Sequence, residues 1–334
     1  MKTIQISSLS LNDVLSDISG HWDQSVVESC SEYTLELPED IGKGKIKGIS
    51  FDNGLAILIY DCTFKNDLKM EFNVNKVHPL KYIYALEGNL NHSFEKESEI
   101  HHIEQYKCAM VASSDHNGHE LKFDANTPTK IISLEVNREK FAGRMLCELD
   151  DLNADLKSLF TDYRAKEKFH HVGHYSLKFQ ELFKALSEFE GKKLVRKMFL
   201  ESKASDIFVN QIMDYEDDMK PNSENILRKS EMISLQKATD LIEDNIQDAP
   251  TVEELAREVG VNTNKLQDGF KYLYDKSVNQ YLNDYRMDLA IEYLTETEMN
   301  ITEICEEIGI ASRSYFSKKF KERYNIKPSC LRKK

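Results

Sequence analysis

The sequence predicts an α+β multidomain chain: a small all-β barrel towards the N terminus, a helical connector, and an all-α C-terminal domain with two helix-turn-helix units. Three observations predict it. Strand-like runs broken by closely spaced turn signals fill residues 45–136. From about residue 138 the apolar residues recur at helical spacing. In the tail, a helical unit occurs twice at an offset of 49–50 residues.

The chain of 334 residues exceeds one ordinary domain, and 40% hydrophobic with 30% charged residues is enough apolar material for packed cores. Its first seventeen residues interleave Ser, Asn and Asp, so no apolar stretch suits secretion, and no later run is long enough to cross a membrane. A cytoplasmic location is expected. Cys30, Cys62, Cys108, Cys147, Cys305 and Cys330 form no CxxC pair, which argues for reduced thiols rather than disulfides or a zinc knuckle.

The β region, with its core at about 45–141 of a first domain spanning 1–141, is read from three runs. Leu55–Tyr60 is apolar on both alternating faces, as in a strand covered on both sides; Lys81–Leu86 leads into the hairpin signal Glu87-Gly88-Asn89; Ile131–Val136 is a third strand. Turn signals at Asp52–Gly54, Asn117-Gly118 and Asn126–Pro128 complete the spacing of a sandwich or barrel. In the connector, 142–225, Leu177, Leu182, Phe183, Leu186 and Phe189 form one stripe, and Leu194, Met198, Phe199, Ile207, Phe208, Gln211 and Ile212 fit a second, long amphipathic segment. These stripes fit packing on the barrel or a homodimer seam. Asp214–Asn225, charged and containing Pro221, reads as a linker.

The C-terminal domain, 234–334, carries the strongest signal. Val252–Val261 aligns with Ile301–Ile310, and Leu266, Phe270, Lys271 and Tyr274 align with Phe316, Phe320, Lys321 and Tyr324. Each copy is a short helix with a small residue, Ala256 or Cys305, then a glycine, Gly260 or Gly309, then a longer helix. Thr251/Glu254, Ser277/Gln280 and Asn300/Glu303 have capping-box spacing.

Charge points the same way. The net charge of -13 lies wholly in residues 1–250; 251–300 carries 5 basic and 10 acidic residues, whereas 301–334 carries 9 basic and 4 acidic. Phosphate contact suits the last segment. On the second long helix Phe320 and either Tyr315 or Phe316 turn inward, leaving Ser312, Arg313, Ser314, Ser317, Lys318 and Lys321 for DNA, with Arg323 as a further phosphate contact. On the first, Asn262 is the N-cap, and Thr263, Asn264, Lys265, Gln267 and Lys271 are available, Asn and Gln being able to pair with adenine. Asp268 and Gly269 are unexpected there.

These residues, and the run Ile301–Pro328 above all, resemble the AraC/XylS transcription regulators over about 234–334. The resemblance implies seven helices, with the helix around Val278–Leu294 joining two units that enter successive major grooves; double-stranded DNA, RNA polymerase and a second copy of the chain are the implied partners. Ile310 and Ala311 depart from the family's usual Phe and polar residue, making Ser312 the N-cap, and Asn325 replaces the usual glycine. Residues 45–141 resemble the cupin-like sensor barrel of that family. Phe199–Phe208 and Thr263–Lys271 are similar to the branch containing the pyochelin regulator, which would allow a siderophore as small-molecule effector.

Tyr82, Tyr84, His92 and Phe94 lie on strands that would line a barrel and are the candidate effector-binding residues. His101-His102, His116 with His119, and His170-His171 with His174 could ligate iron or zinc, but the cupin HxH pattern is absent, and structural roles are the favoured reading. No nucleophile and base pair, phosphate loop or paired-acid signature occurs, so neither catalysis, a cofactor nor a metal is expected. The opposing reading is a metal-dependent cupin enzyme or metal sensor fused to a DNA-binding tail.

Overall fold

The structure is a computed structural model that describes residues 1–73, 77–142, 148–176, 178–219 and 229–331. The chain divides into two compact units, 1–226 and 227–334.

The first unit begins with strand β1 (Lys2–Ile6) and helix α1 (Leu11–Gly20). The strands that follow are β2 (Val27–Ser29), β3 (Glu32–Glu36), β4 (Gly42–Ser50), β5 (Leu55–Phe64), β6 (Leu68–Phe72), β7 (Leu80–Glu87), β8 (Leu90–Phe94), β9 (His101–Ile103), β10 (Lys107–Ala112), β11 (His119–Phe123) and β12 (Thr129–Val136). Then come α2 (Arg138–Ala142), α3 (Ala154–Thr161), β13 (Phe169–Tyr175), α4 (Lys178–Glu188) and α5 (Lys193–Asp218). Regular structure therefore starts well before residue 45.

The strands form two sheets, ordered β1-β6-β11-β8-β9 and β13-β10-β7-β12-β5-β4-β3-β2. The expected barrel is found instead as two open sheets face to face: edge strands β9 and β13 meet through the stacked rings of His101 and His170, not through a backbone ladder. Ile4, Met70, Leu121 and Phe123 of the smaller sheet pack against Leu58, Tyr60, Ile83 and Ala85 of the larger. Period-two alternation sends the neighbours of those residues, Ile57, Ile59, Tyr82 and Tyr84, to the opposite face. There Phe160, Phe179, Phe183, Ile207 and Phe208 of α3, α4 and α5 cover them. Leu55–Tyr60 is thus apolar on both faces because both are buried.

Two readings of the connector change. Phe169–Tyr175 is a strand, paired antiparallel with β10, inside a region expected to be helical. Its polar residues His170, His171 and His174 hid the alternation. Asp214–Asp218, expected as linker, continues α5, held by the buried Tyr215 and capped by Met219; residues 220–225 of that linker and Leu177 lie outside the described residues.

The second unit consists, among the described residues, of seven helices: α6 (Lys229–Asp244), α7 (Val252–Val259), α8 (Thr263–Tyr274), α9 (Val278–Glu296), α10 (Ile301–Glu307), α11 (Arg313–Tyr324) and α12 (Pro328–Leu331). Helix α6 starts upstream of the expected boundary at residue 234 and buries Met232 completely.

Candidate DNA interface

Each helix-turn-helix is set by local chemistry. Thr251 accepts from the Glu254 amide and the Glu254 carboxylate accepts from the Thr251 amide, a closed capping box that starts α7. Ser277/Gln280 and Asn300/Glu303 start α9 and α10 in the same way. Gly260 and Gly309 take left-handed φ values of 75° and 67° after the short helices. Glycine is obligatory at the second: a Cβ on Gly309 would lie 2.2 Å from the Gln247 carbonyl oxygen. Asn262 then accepts from the Lys265 amide at 2.8 Å to open α8, and Ser312 from the Tyr315 amide at 3.2 Å to open α11.

Phe316 and Phe320 of α11 are fully buried, so it is Phe316 rather than Tyr315 that faces the core; Tyr315 is exposed. Ser312, Arg313, Ser314, Lys318 and Lys321 are exposed and Ser317 is half-buried. Lys318 has only a distant ion pair with Glu322, at 4.0 Å. On α8, Asn264, Lys265 and Lys271 are exposed and Thr263 is half-buried. Lys265 pairs with Glu231 at 2.6 Å and Lys271 with Asp275 at 2.6 Å; such exposed pairs are weak and can exchange a carboxylate for a phosphate.

Two residues differ from their expected places, and packing accounts for a third that was unexpected on the helix. Gln267, expected fully outward, is half-buried, and its side-chain oxygen accepts from the Val278 amide at 3.2 Å, so it caps the N terminus of α9. Arg323 is held by Asp284 at 2.5 Å and by both oxygens of Asp288 at 2.9 Å, tying α11 to α9. Burial alone would lower its pKa, but hydrogen bonding to Tyr324 and Asp284 and the charge of Asp288 raise it further, fixing the guanidinium as a charged staple. Gly269 is explained by packing: a Cβ there would lie 2.5 Å from both terminal methyls of Leu235 on α6.

The effector candidates do not share one pocket. Tyr82 and Tyr84 face the helices, with Tyr82 edge-on to Phe208, Tyr84 stacked on Phe183, and the Tyr84 hydroxyl donating to the Ser176 carbonyl at 2.6 Å. His92 and Phe94 lie in the smaller sheet, ring centroids 5.0 Å apart and perpendicular. The strand period puts the two pairs on different faces, which a barrel-wall reading of all four had merged. Near them, unassigned as a group by the sequence, the rings of His92, His101 and His170 converge.

An all-α unit with two capped helix-turn-helix hairpins and a basic exposed helix defines a DNA-binding transcription regulator of the AraC type. Residues 255–334 match the family model described as a helix-turn-helix domain. Residues 43–225, more than half of the chain, match the family model of the regulatory protein PchR N-terminal domain, and the chain belongs to that family.

The chain is 31% identical over 106 residues to the regulatory protein PchR of Pseudomonas aeruginosa, covering 32% of this chain and 36% of that protein. It is 33% identical over 95 residues to the lactose operon transcription activator of Staphylococcus xylosus, covering 28% and 34%. These matches span about a third of the relatives' own length. Among solved structures, an AraC-type DNA-binding-domain regulator from Chromobacterium violaceum is 27% identical with a TM-score of 0.30, covering 31% of this chain and 94% of that one.

Proposed function

We propose that the protein is a sequence-specific regulator of transcription whose second unit binds operator DNA and whose first unit responds to a small-molecule effector. The observation that carries the reading is α11: a short helix opened by a serine cap, with its aromatic side buried and Arg313, Ser314, Lys318 and Lys321 exposed on a net-positive segment. A helix of this kind supplies phosphate contacts from lysine and base contacts from its N-terminal residues. Helix α8, in a net-negative segment, has Thr263, Asn264, Lys265 and Lys271 for the adjoining groove.

Division of labour follows the chain: 1–141 as the sensing region, 142–225 as a helical region that also serves dimerisation, and 234–334 as the DNA-reading region, its fold beginning with α6. A cleft of about 670 Å³, lined by Tyr33, Phe51, His78, Glu135 and Arg138 among others, has the volume of small-molecule sites and is the proposed effector entrance, a siderophore being the class that the branch resemblance implies. Arg138 is fully buried and donates to the carbonyls of His78, Ser113 and Asp162, so it fixes the cleft-lining His78 to two segments outside the cleft. RNA polymerase is the proposed partner once DNA is bound. Among the described residues no helix is long and apolar enough to cross a membrane.

Binding-site selection from random duplexes tests the reading. Residues 227–334 should enrich a defined sequence, and 1–226 should enrich none. Enrichment by 1–226, or none by the full chain, overturns it.

A further inference from the structure

We propose that His92, His101 and His170 form a binding site for a divalent first-row transition-metal ion of the zinc class, clamping the open edges of the two sheets together. His92 on β8 and His101 on β9 are direct cross-strand partners, and His170 is brought from the edge of the other sheet by β13. One ring nitrogen from each lies within 4.8 Å of the others. Tetrahedral zinc with bonds of about 2.0–2.1 Å separates its nitrogen donors by about 3.4 Å. The His101 and His170 rings are stacked with centroids 3.5 Å apart, so binding an ion requires them to rotate out of the stack until their nitrogens point at one centre.

A second observation is independent of that convergence. His92 is fully buried with neither ring nitrogen hydrogen-bonded, and the buried Nε2 of His170 likewise has no partner among the described residues. Unpaired buried imidazole nitrogens are costly unless something accepts their lone pairs.

The donor chemistry selects the ion. Three imidazoles without a thiolate or a carboxylate suit Zn2+, Co2+, Ni2+ or Cu2+ and not Mg2+ or Ca2+. Three protein ligands leave a coordination position for water or for an atom of an incoming molecule. The next residue along β13, His171, pairs with Asp218 at the end of α5 at 3.0 Å, so the strand that carries His170 also holds the end of that helix.

The test uses full-length protein treated with a chelator and titrated with Zn2+ against a chromophoric competitor. One equivalent should bind. His101→Ala and His170→Ala, at the sheet edges, should each weaken binding by about 100-fold or more. His102→Ala and His116→Ala, whose rings are exposed outside the cluster, should leave it unchanged. Substitution with Co2+ gives a readout that needs no variant: intense visible bands of a tetrahedral site are expected. Absence of stoichiometric Zn2+ binding, weak octahedral Co2+ bands, or equal binding by folded His101→Ala and His170→Ala proteins overturns the site.

Discussion

Asn264 and Gln267 look interchangeable on the sequence, two amides on one reading helix, and the structure gives them different tasks. Asn264 is exposed without a hydrogen-bonded partner among the described residues, whereas the Gln267 oxygen caps α9. Asn264→Ala should therefore relax base preference at one or two positions, at about 1–3 kcal/mol for a lost bidentate pair, with the melting curve unchanged. Gln267→Ala should instead lower stability by about 0.5–1.5 kcal/mol and leave the selected sequence alone. Parallel site selection and thermal melts on the two variants check both. Gly269→Ala opposes two effects: alanine gains about 1 kcal/mol of helix propensity, while overpacking a fitted contact costs about 1–3 kcal/mol. With Leu235 itself buried, the clash wins, and calorimetry should show a net loss of about 1 kcal/mol. Neither the cap nor the clash was legible from spacing, because each depends on a partner in another helix.

At the scale of the helix, α11 separates two kinds of basic residue. Lys318 and Lys321 are exposed and release counterions when they meet phosphate, so alanine at both should reduce the slope of log affinity against log salt by about 1.8. Arg323→Ala should leave that slope unchanged and destabilise the second unit, by about 1 kcal/mol after allowing for partial exposure of its ion pairs. Its partner Asp284 adds a pH dependence. Burial would raise that carboxyl's pKa, but hydrogen bonds from Lys276 and Arg323 outweigh it and the net shift is downward. A depressed folded-state pKa means stabilisation that is complete above the unfolded value of about 3.9 and lost as pH falls through the folded one. Melts at decreasing pH should show the wild-type advantage over Arg323→Ala shrinking there. The caps, glycine turns and inward aromatics of these helices were readable because they repeat at fixed offsets. The role of Arg323 was not, since its carboxylates come from α9, 35 and 39 positions away in sequence. The same limit governs the first unit: the unbroken apolar run Leu55–Tyr60 announced a strand buried on both faces, but which sheet received His92 and which face received Tyr82 depended on pairings between distant segments.

Over the whole molecule, α5 has a property that a solitary chain does not need. Leu200, Ala204, Ile207, Phe208, Gln211 and Tyr215 bury one side of it, yet Leu194, Met198, Val209 and Met213 are each more than half exposed. At about 100° per residue these four fall within an arc of about 100°. Leu194 and Met198 near one end of the helix and Val209 and Met213 near the other leave two apolar patches on one face, with Ser202 and Ser205 between them. A second copy of the same helix is a self-complementary cover for them, and two tails joined in this way would bind paired half-sites at high effective concentration. The double variant Val209→Glu, Met213→Glu places like charges within one seam while leaving the buried side of α5 intact. It should sediment as a monomer at concentrations where the wild type is a dimer. Its affinity for a single half-site should match the wild type, and its affinity for a duplex with two half-sites should fall by about 100-fold, the lower part of the range that linkage supplies. A wild-type chain that sediments as a monomer both alone and on the paired site removes the seam, and the patches then need another cover.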